Sequence, residues 1–392
     1  MVATNDTPRP ANTVQLLTAD GRFQPSDAAG EYLPYLERLD EDDYRRFYRD
    51  MVRVRAFDTE AANLQRQGQL GLWVPSVGQE GAQVGSARAA KPQDHLFPSY
   101  REHVVGMVRG IDPVGILALL RGVTHGGWDP TDPAVNNFHL YTLVIGSQTL
   151  HATGYAMGIK FDGAVGTGDP EKDAAVIAYF GDGATSQGDV SEAFVFAASY
   201  QTPQVFFLQN NQWAISVPVS TQSRTPLYLR SSGFGIPGVQ VDGNDVLASY
   251  AVTAKHLDDL ASYAVTAKHL DDARNGEGPS MIEALTYRIG AHTSSDDPTK
   301  YRTDEETAYW AERDPILRFR AFLEQQGMGQ AFFDSAEEEG ADLAADVRKR
   351  TLQLGPPPIQ SMFDNVYSEP HPVMEEQRRW LEEYESSFGG DA

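Results

Sequence analysis

Apolar residues follow two repeating patterns along the chain. Between Asp42 and Gln67 they recur at helical spacing (Tyr44, Phe47, Met51, Val54, Phe57, Ala61, Leu64), which predicts one long amphipathic helix. From Ala174 to Leu208 the pattern changes to a short apolar run (AAVIAYF), a glycine turn, a helical stretch from Ala193 to Tyr200, and a second apolar run (QVFFL). That order is a βαβ unit and predicts a pair of parallel strands. A later run (SMIEALTYRIG) reads as a further strand, and Asp304 to Gln326 reads as a helix with Trp310, Ile316, Phe319 and Phe322 on its apolar side. Loops and short helices are expected up to about Thr142, and past the break at Gly355-Pro356-Pro357-Pro358 one acidic helix is expected from Val373 to Ser387. The expected fold class is α/β, a parallel sheet flanked by helices. Three regions follow: an extended arm over 1–40, a main domain over 41–350, and a C-terminal tail with a helix over 351–392.

One segment breaks ordinary pattern. LASYAVTAKHLDD occupies Leu247 to Asp259 and recurs without change from Leu260 to Asp272. Ancient repeats drift apart, so an unchanged copy points to a recent tandem duplication, a cloning event or a sequence-assembly error. Thirteen helical residues advance about 20 Å and turn the apolar face by roughly 220°. The two copies therefore cannot present the same stripe to one core, and one of them is expected to bulge toward solvent. Two short copies do not make a solenoid.

Composition narrows the classes of function. A net charge of -23 argues against a nucleic-acid surface or adhesion to acidic lipid, both of which need local Lys/Arg excess. Acidic clusters such as Asp40–Asp43 and Glu337–Glu339 are read as solvated helix ends. No stretch reaches the roughly 18 apolar residues of a membrane helix, and the first residues (MVATNDTPRPAN) lack the features of a signal peptide, so a soluble, cytoplasmic protein is expected. With no cysteine, any metal must be held by oxygen or imidazole.

The chemistry lies at the ends of the βαβ strands. Asp182 follows the first strand and Asn211 the second, so parallel neighbours deliver both to one carboxyl edge, where open parallel sheets bind ligands. Gly181 and Gly183 permit close backbone approach, and the intervening helix starts nearby with free amides suited to a phosphate. Magnesium takes near-octahedral oxygen ligands, with only one or two from carboxylates. Asp182, Asn211 and a carbonyl of the following turn meet that need. Asp-Gly or Asn-Asn alone is an ordinary turn. Gly-Asp-Gly after one strand and Asn-Asn after the next, 26 residues on, is the pattern of thiamine-diphosphate enzymes.

Longer runs extend the likeness. FPSYRE (97–102), GDGATSQGD (181–189), NNQWAIS (210–216), VDGND (241–245) and YRIGAHTSSDDPTKYR (287–302) resemble the α subunits of 2-oxo acid dehydrogenase complexes over about residues 40 to 385. The SSDDPTKYR loop and the FDNVYSEP tail are more similar to the branched-chain type. The resemblance implies a thiamine-diphosphate-binding fold, thiamine diphosphate and magnesium as cofactors, and oxidative decarboxylation of a branched-chain 2-oxo acid with acyl transfer to lipoamide on an acyltransferase core.

Residue by residue, it implies that Asp182 and Asn211 bind magnesium through side chains and Trp213 through its carbonyl. Tyr100 and Arg101 would contact the diphosphate, Arg101 with a guanidinium suited to bidentate grip. His292 would reach the diphosphate and the reacting centre as the catalytic histidine. Gly181, Gly183, Ala184, Ala214 and Ile215 would line the cofactor, with Ile145 beneath it. Thr142, Ser147 and Gln148 match a potassium site of branched-chain members.

Two positions depart from the animal branched-chain pattern. Ser99 stands where those have glutamine and Gln209 where they have arginine, which shifts the expected burden onto Arg101, His292 and magnesium. The family carries the duplicated segment once. The carboxylate that ionises the cofactor resides on a separate domain, for which this chain has no room, so the resemblance implies a β subunit and an α2β2 assembly. Pyruvate or acetoin is the rival substrate, and a non-catalytic interaction subunit is the reading from another class. A nucleotide-binding enzyme is disfavoured because no Walker-type lysine or dinucleotide fingerprint accompanies the glycine turn.

Overall fold

The two central strands are apolar on both faces, and the rest of the architecture follows from covering them. The computed structural model describes residues 12–124, 126–169, 171–266, 278–364 and 366–388. Its main sheet comprises β1 (His95–Phe97), β2 (Val176–Gly181), β3 (Gln204–Asn210), β4 (Gly238–Asp242) and β5 (Ser280–Leu285), in spatial order β1-β2-β3-β5-β4. All four pairings are parallel. Side chains of β2 and β3 alternate between two apolar layers, Ile177, Tyr179, Val205 and Phe207 on one face, Val176, Ala178, Phe180, Phe206 and Leu208 on the other. Burial on both faces explains the unbroken apolar runs, since crossover helices of a parallel sheet cover both sides.

On the first face lies α1 (Glu41–Arg66). Asp40 starts it with a capping box: the Asp43 amide donates to the Asp40 carboxylate at 2.9 Å and the Asp40 amide donates back to Asp43 at 3.0 Å. Its buried stripe holds Phe47, Met51, Val54, Phe57, Ala61 and Leu64, with Tyr44 half-buried beside them. The same layer takes α2 (Glu80–Ala89) and, later in the chain, Phe332, Phe333 and Val347 from the helix Gln330–Leu352. The second face is covered by α3 (Ser147–Phe161) and α4 (Gly188–Tyr200), through Ala152, Ala156, Val190, Ala193 and Phe194.

Several expectations need correction. Strand β1 lies in a region read as loops and short helices, and β4 in one for which no element was expected, because one has only three residues and the other carries a buried polar residue, Gln240, bonded to the Thr13 hydroxyl at 2.7 Å. The helix expected from Asp304 to Gln326 is two, Asp304–Ala311 and Pro315–Gln325. Pro315 cannot donate an amide hydrogen bond and suits a first helical position, while Asp314 caps the Ile316 and Leu317 amides. The helical stretch expected from Ala193 to Tyr200 begins earlier, at Gly188, after a 3-10 turn over Asp182–Ser186. Glu337–Glu339 sit in mid-helix rather than at an end. The C-terminal helix spans Pro372–Ser386. Among the described residues no helix is long and apolar enough to cross a membrane.

The described part of the arm is tied to β4. Val14 pairs with Val241, and the Leu16 and Leu17 amides donate to Asp245 at 2.8 and 2.6 Å. The duplicated segment continues as α5 (Val246–Thr266), in which Leu247, Ala251, Val252 and Leu257 of the first copy are buried, as is Leu260, the counterpart of Leu247. Side chains of the second copy from Ala261 onward, which would reveal the expected bulge, lie outside the described residues.

Candidate active site

Parallel pairing brings four strand ends to one edge. Gly181 of β2 stands opposite Gln209 of β3, and Asn210 opposite Leu285 of β5. The loops that follow carry Tyr100 and Arg101 after β1, Asp182 after β2, Asn211 after β3, and Arg288 and His292 after β5. They enclose a cavity of 240 Å³. Tyr100, Arg101, Ile145, Gly181, Asp182, Gly183, Ala184, Asn211, Trp213, Ala214, Ile215 and His292 all line it. Residues spread over almost 200 positions of sequence thus meet at one site.

Asp182 forms its floor and is 2% exposed. Burial pushes its carboxyl up to about 6, against a hydrogen bond from Gln222 Nε2 at 3.0 Å that favours the ionised form. A divalent cation would offset that desolvation. Asn211 Oδ1 accepts from the Trp213 amide at 3.3 Å, and its Nδ2 donates to Gln79 Oε1 at 3.4 Å. The Trp213 carbonyl accepts from Arg288 Nη1 at 3.0 Å and keeps a second lone pair. One carboxylate, one amide oxygen and one carbonyl suit magnesium, which completes its shell with water and phosphate. Among the described residues no group of three or more His, Cys, Asp or Glu side chains could hold a metal, so any ion here depends on such mixed oxygen donors.

Gly183 is required by packing, because a Cβ there would meet Ala214 Cβ at 2.8 Å. A Cβ on Gly181 would meet nothing within 4 Å, so its absence leaves space in the cavity rather than avoiding a clash. Ile215, at φ 55°, is a β-branched residue in left-handed backbone, a strained conformation. Arg288 holds that turn through both Trp213 O and Ile215 O, the latter at 2.8 Å.

The opposite wall is cationic. Arg101 donates to Pro75 O and, at 3.0 Å, to His292 O. Arg288 is fully buried, and desolvation together with the Arg101 charge lowers its pKa. Those influences also act on His292: burial first, then Arg101 and Arg288, lower its imidazole to about 4, so it is neutral at pH 7. Its backbone amide donates to Asp296 at 2.8 Å, and Tyr100 meets its ring edge-on with centroids 6.3 Å apart. Gln79 Nε2 and Arg288 Nε are buried donors without a partner among the described residues. Two guanidiniums and these spare donors fit an anion such as a diphosphate.

Ser99 and Gln209, the two departures, are joined through Glu102. The Ser99 amide and hydroxyl donate to one carboxylate oxygen at 2.6 and 2.7 Å, and Gln209 Nε2 donates to the other at 2.5 Å. Burial raises the Glu102 pKa. Of the three potassium candidates only Gln148 lines the cavity; its Nε2 bonds Tyr179 O at 2.9 Å and its Oε1 accepts from the Gly146 amide at 3.1 Å. The Ser147 hydroxyl donates to Val144 O at 2.9 Å, and the Thr142 amide donates to Ser99 O at 3.3 Å.

The family model described as dehydrogenase E1 component matches residues 48–350. The chain belongs to that family. It is 43% identical over 349 residues to the 3-methyl-2-oxobutanoate dehydrogenase subunit alpha of Mycobacterium tuberculosis (strain ATCC 25618 / H37Rv), covering 88% of this chain and 89% of that one. The pyruvate dehydrogenase E1 component subunit alpha of Bacillus subtilis (strain 168) is 38% identical over 80% of this chain and 77% of its own. Its counterpart from Staphylococcus aureus (strain Mu50 / ATCC 700699) is 34% identical over 97% and 96%.

In this dehydrogenase E1 component, several polar residues at the site were given no role from the sequence, among them Arg288, Glu102, Gln79 and Gln222. Arg288 and Glu102 lie inside the quoted motifs, so spacing to His292 and Arg101 was the available signal. Gln79 and Gln222 stand in stretches with no pattern, and only the fold brings them to Asn211 and Asp182.

Proposed function

We propose that the chain is the α subunit of a branched-chain 2-oxo acid dehydrogenase and holds the diphosphate end of thiamine diphosphate through magnesium. The observation that carries this is the convergence of Asp182, Asn211, Arg101 and His292 on one cavity of a dehydrogenase E1 component. The greater identity to a 3-methyl-2-oxobutanoate dehydrogenase subunit than to pyruvate dehydrogenase subunits favours the branched-chain substrate.

Asp182, Asn211 and the Trp213 carbonyl would hold magnesium. Arg101, Tyr100 and the backbone of Gly183 and Ala184 would face the diphosphate, while Ile145, Ala214 and Ile215 would flank the rings. Bound thiamine diphosphate supplies the electron sink for decarboxylating a 2-oxo acid. His292, neutral at pH 7, can accept or donate a proton at the cavity wall without a charge to be displaced first. A potassium ion at Thr142, Ser147 and Gln148 would brace the loop that carries Ile145. A β subunit in an α2β2 assembly would complete the site, a lipoyl-bearing acyltransferase would take the acyl group, and the complex would be cytoplasmic.

Purified α and β together should decarboxylate 3-methyl-2-oxobutanoate with a dye acceptor. Strong preference for pyruvate would overturn the substrate assignment but leave the cofactor reading intact. Failure of the complex to bind thiamine diphosphate with magnesium in a calorimetric titration would favour the non-catalytic alternative.

A further inference from the structure

Asp58 belongs to α1, does not line the cavity, and is 1% exposed. A buried carboxylate is costly unless partners compensate it, yet among the described residues Asp58 forms no ion pair. Its hydrogen bonds all go to one irregular segment. Trp73 Nε1 donates to Oδ1 at 2.5 Å, and the Ser76 amide and hydroxyl donate to Oδ2 at 2.7 and 3.1 Å.

That segment, residues 73–79, touches the site at three points. Pro75 O accepts from Arg101 Nη1. Trp73 exchanges two hydrogen bonds with Ser294, donating its amide to Oγ at 3.0 Å and accepting from the Ser294 amide at 2.9 Å, two residues beyond His292. Gln79 accepts from Asn211 at 3.4 Å. A strap without helix or sheet bonding of its own has to be held by its side-chain and backbone partners. Precise sites depend on such supporting bonds to keep their contacting groups in register.

We infer that Asp58 is a positioning residue: it anchors the 73–79 strap to α1 and thereby sets Arg101, Asn211 and the His292 loop for a diphosphate. The inference rests on the proposed cofactor reading and adds a residue that never touches the cofactor.

The test uses α co-produced with its β subunit, carrying Asp58→Asn. Asparagine keeps the shape but turns an NH2 toward Trp73 Nε1 or Ser76, so one set of bonds is lost. With magnesium present, the dissociation constant for thiamine diphosphate should rise at least about tenfold, equivalent to about 1.4 kcal/mol. At saturating cofactor kcat should stay within about threefold, because the loss concerns binding rather than chemistry. Thermal stability without cofactor should be unchanged or higher, since a buried charge is gone. Unchanged cofactor affinity would overturn the inference, as would an affinity loss matched by a fall in stability, the sign of a merely structural residue. If Asp58→Asn does not assemble, Trp73→Phe removes one hydrogen bond while keeping an aromatic ring, and wild-type affinity in that variant would overturn it equally. A wild-type complex that binds no thiamine diphosphate would instead overturn the underlying reading, and is seen before any variant is made.

Discussion

Gly183→Ala probes how tightly the cavity floor is packed. The new Cβ would lie 2.8 Å from Ala214 Cβ. Non-bonded carbons settle at about 3.5–4.0 Å, so the Trp213–Ala214 strand must retreat by about 0.7–1.2 Å. It has little freedom to do so. Ala214 pairs with Val217, and the carbonyls on either side of it are held by Arg288 at 3.0 and 2.8 Å. The retreat therefore displaces the Trp213 carbonyl proposed for magnesium. Overpacking of this kind costs about 1–3 kcal/mol. If all of it falls on the bound state, affinity for thiamine diphosphate drops about 5- to 150-fold. Calorimetric titration of the αβ complex at fixed magnesium reads this directly. The double variant Gly183→Ala/Ala214→Gly removes the opposing methyl and leaves the residue 214 Cα 3.8 Å away, an ordinary contact. Its affinity should recover most of the loss, giving a large coupling in the double-mutant cycle. Wild-type affinity in Gly183→Ala, or no recovery in the double variant, would refute the packing argument.

Other consequences follow from the same geometry. Asp182→Asn should abolish magnesium-dependent cofactor binding while stabilising the cofactor-free protein at pH 8. The folded-state carboxyl is raised from 3.8 to about 6, so burial of its charge costs up to about 3 kcal/mol above pH 6, a cost that fades as pH falls toward 4. Denaturant melts of wild type and variant that coincide at pH 8 would contradict this. Ile215→Gly should raise cofactor-free stability by about 1 kcal/mol, because the side chain is half exposed and the left-handed backbone is strained; a lower melting temperature would show that packing outweighs strain. Deleting Leu260 to Asp272 should preserve assembly and cofactor affinity, since the first copy already supplies Leu247, Ala251, Val252 and Leu257 to the core, and aggregation of the shortened α would count against it.

The apolar patterns by themselves determined much of this protein. β2, β3 and β5 are buried on both faces, so their middles are apolar runs broken only by hydrogen-bonded polar residues such as Glu283, which accepts from Asn210, and α1 must carry its stripe at helical spacing; both constraints are local. That the proposed cofactor residues share one cavity was legible for a related reason. Asp182 and Asn211 each follow a strand of one βαβ unit, and parallel pairing leaves them no choice but a common edge. Three-residue β1 and the polar β4 could not be read, because their pairing partners, not their own residues, make them strands. The split at Pro315 was written in the chain, but the apolar side of the helix concealed it. Tertiary structure alone decided which distant polar groups support the site. Gln79 meets Asn211, Gln222 meets Asp182, and Glu102 ties Ser99 to Gln209. Such contacts depend on how loops from different strands cross, and no spacing along the chain encodes that. The same holds for the neutral state of His292, which arises from burial beside Arg101 and Arg288 rather than from its neighbours in sequence.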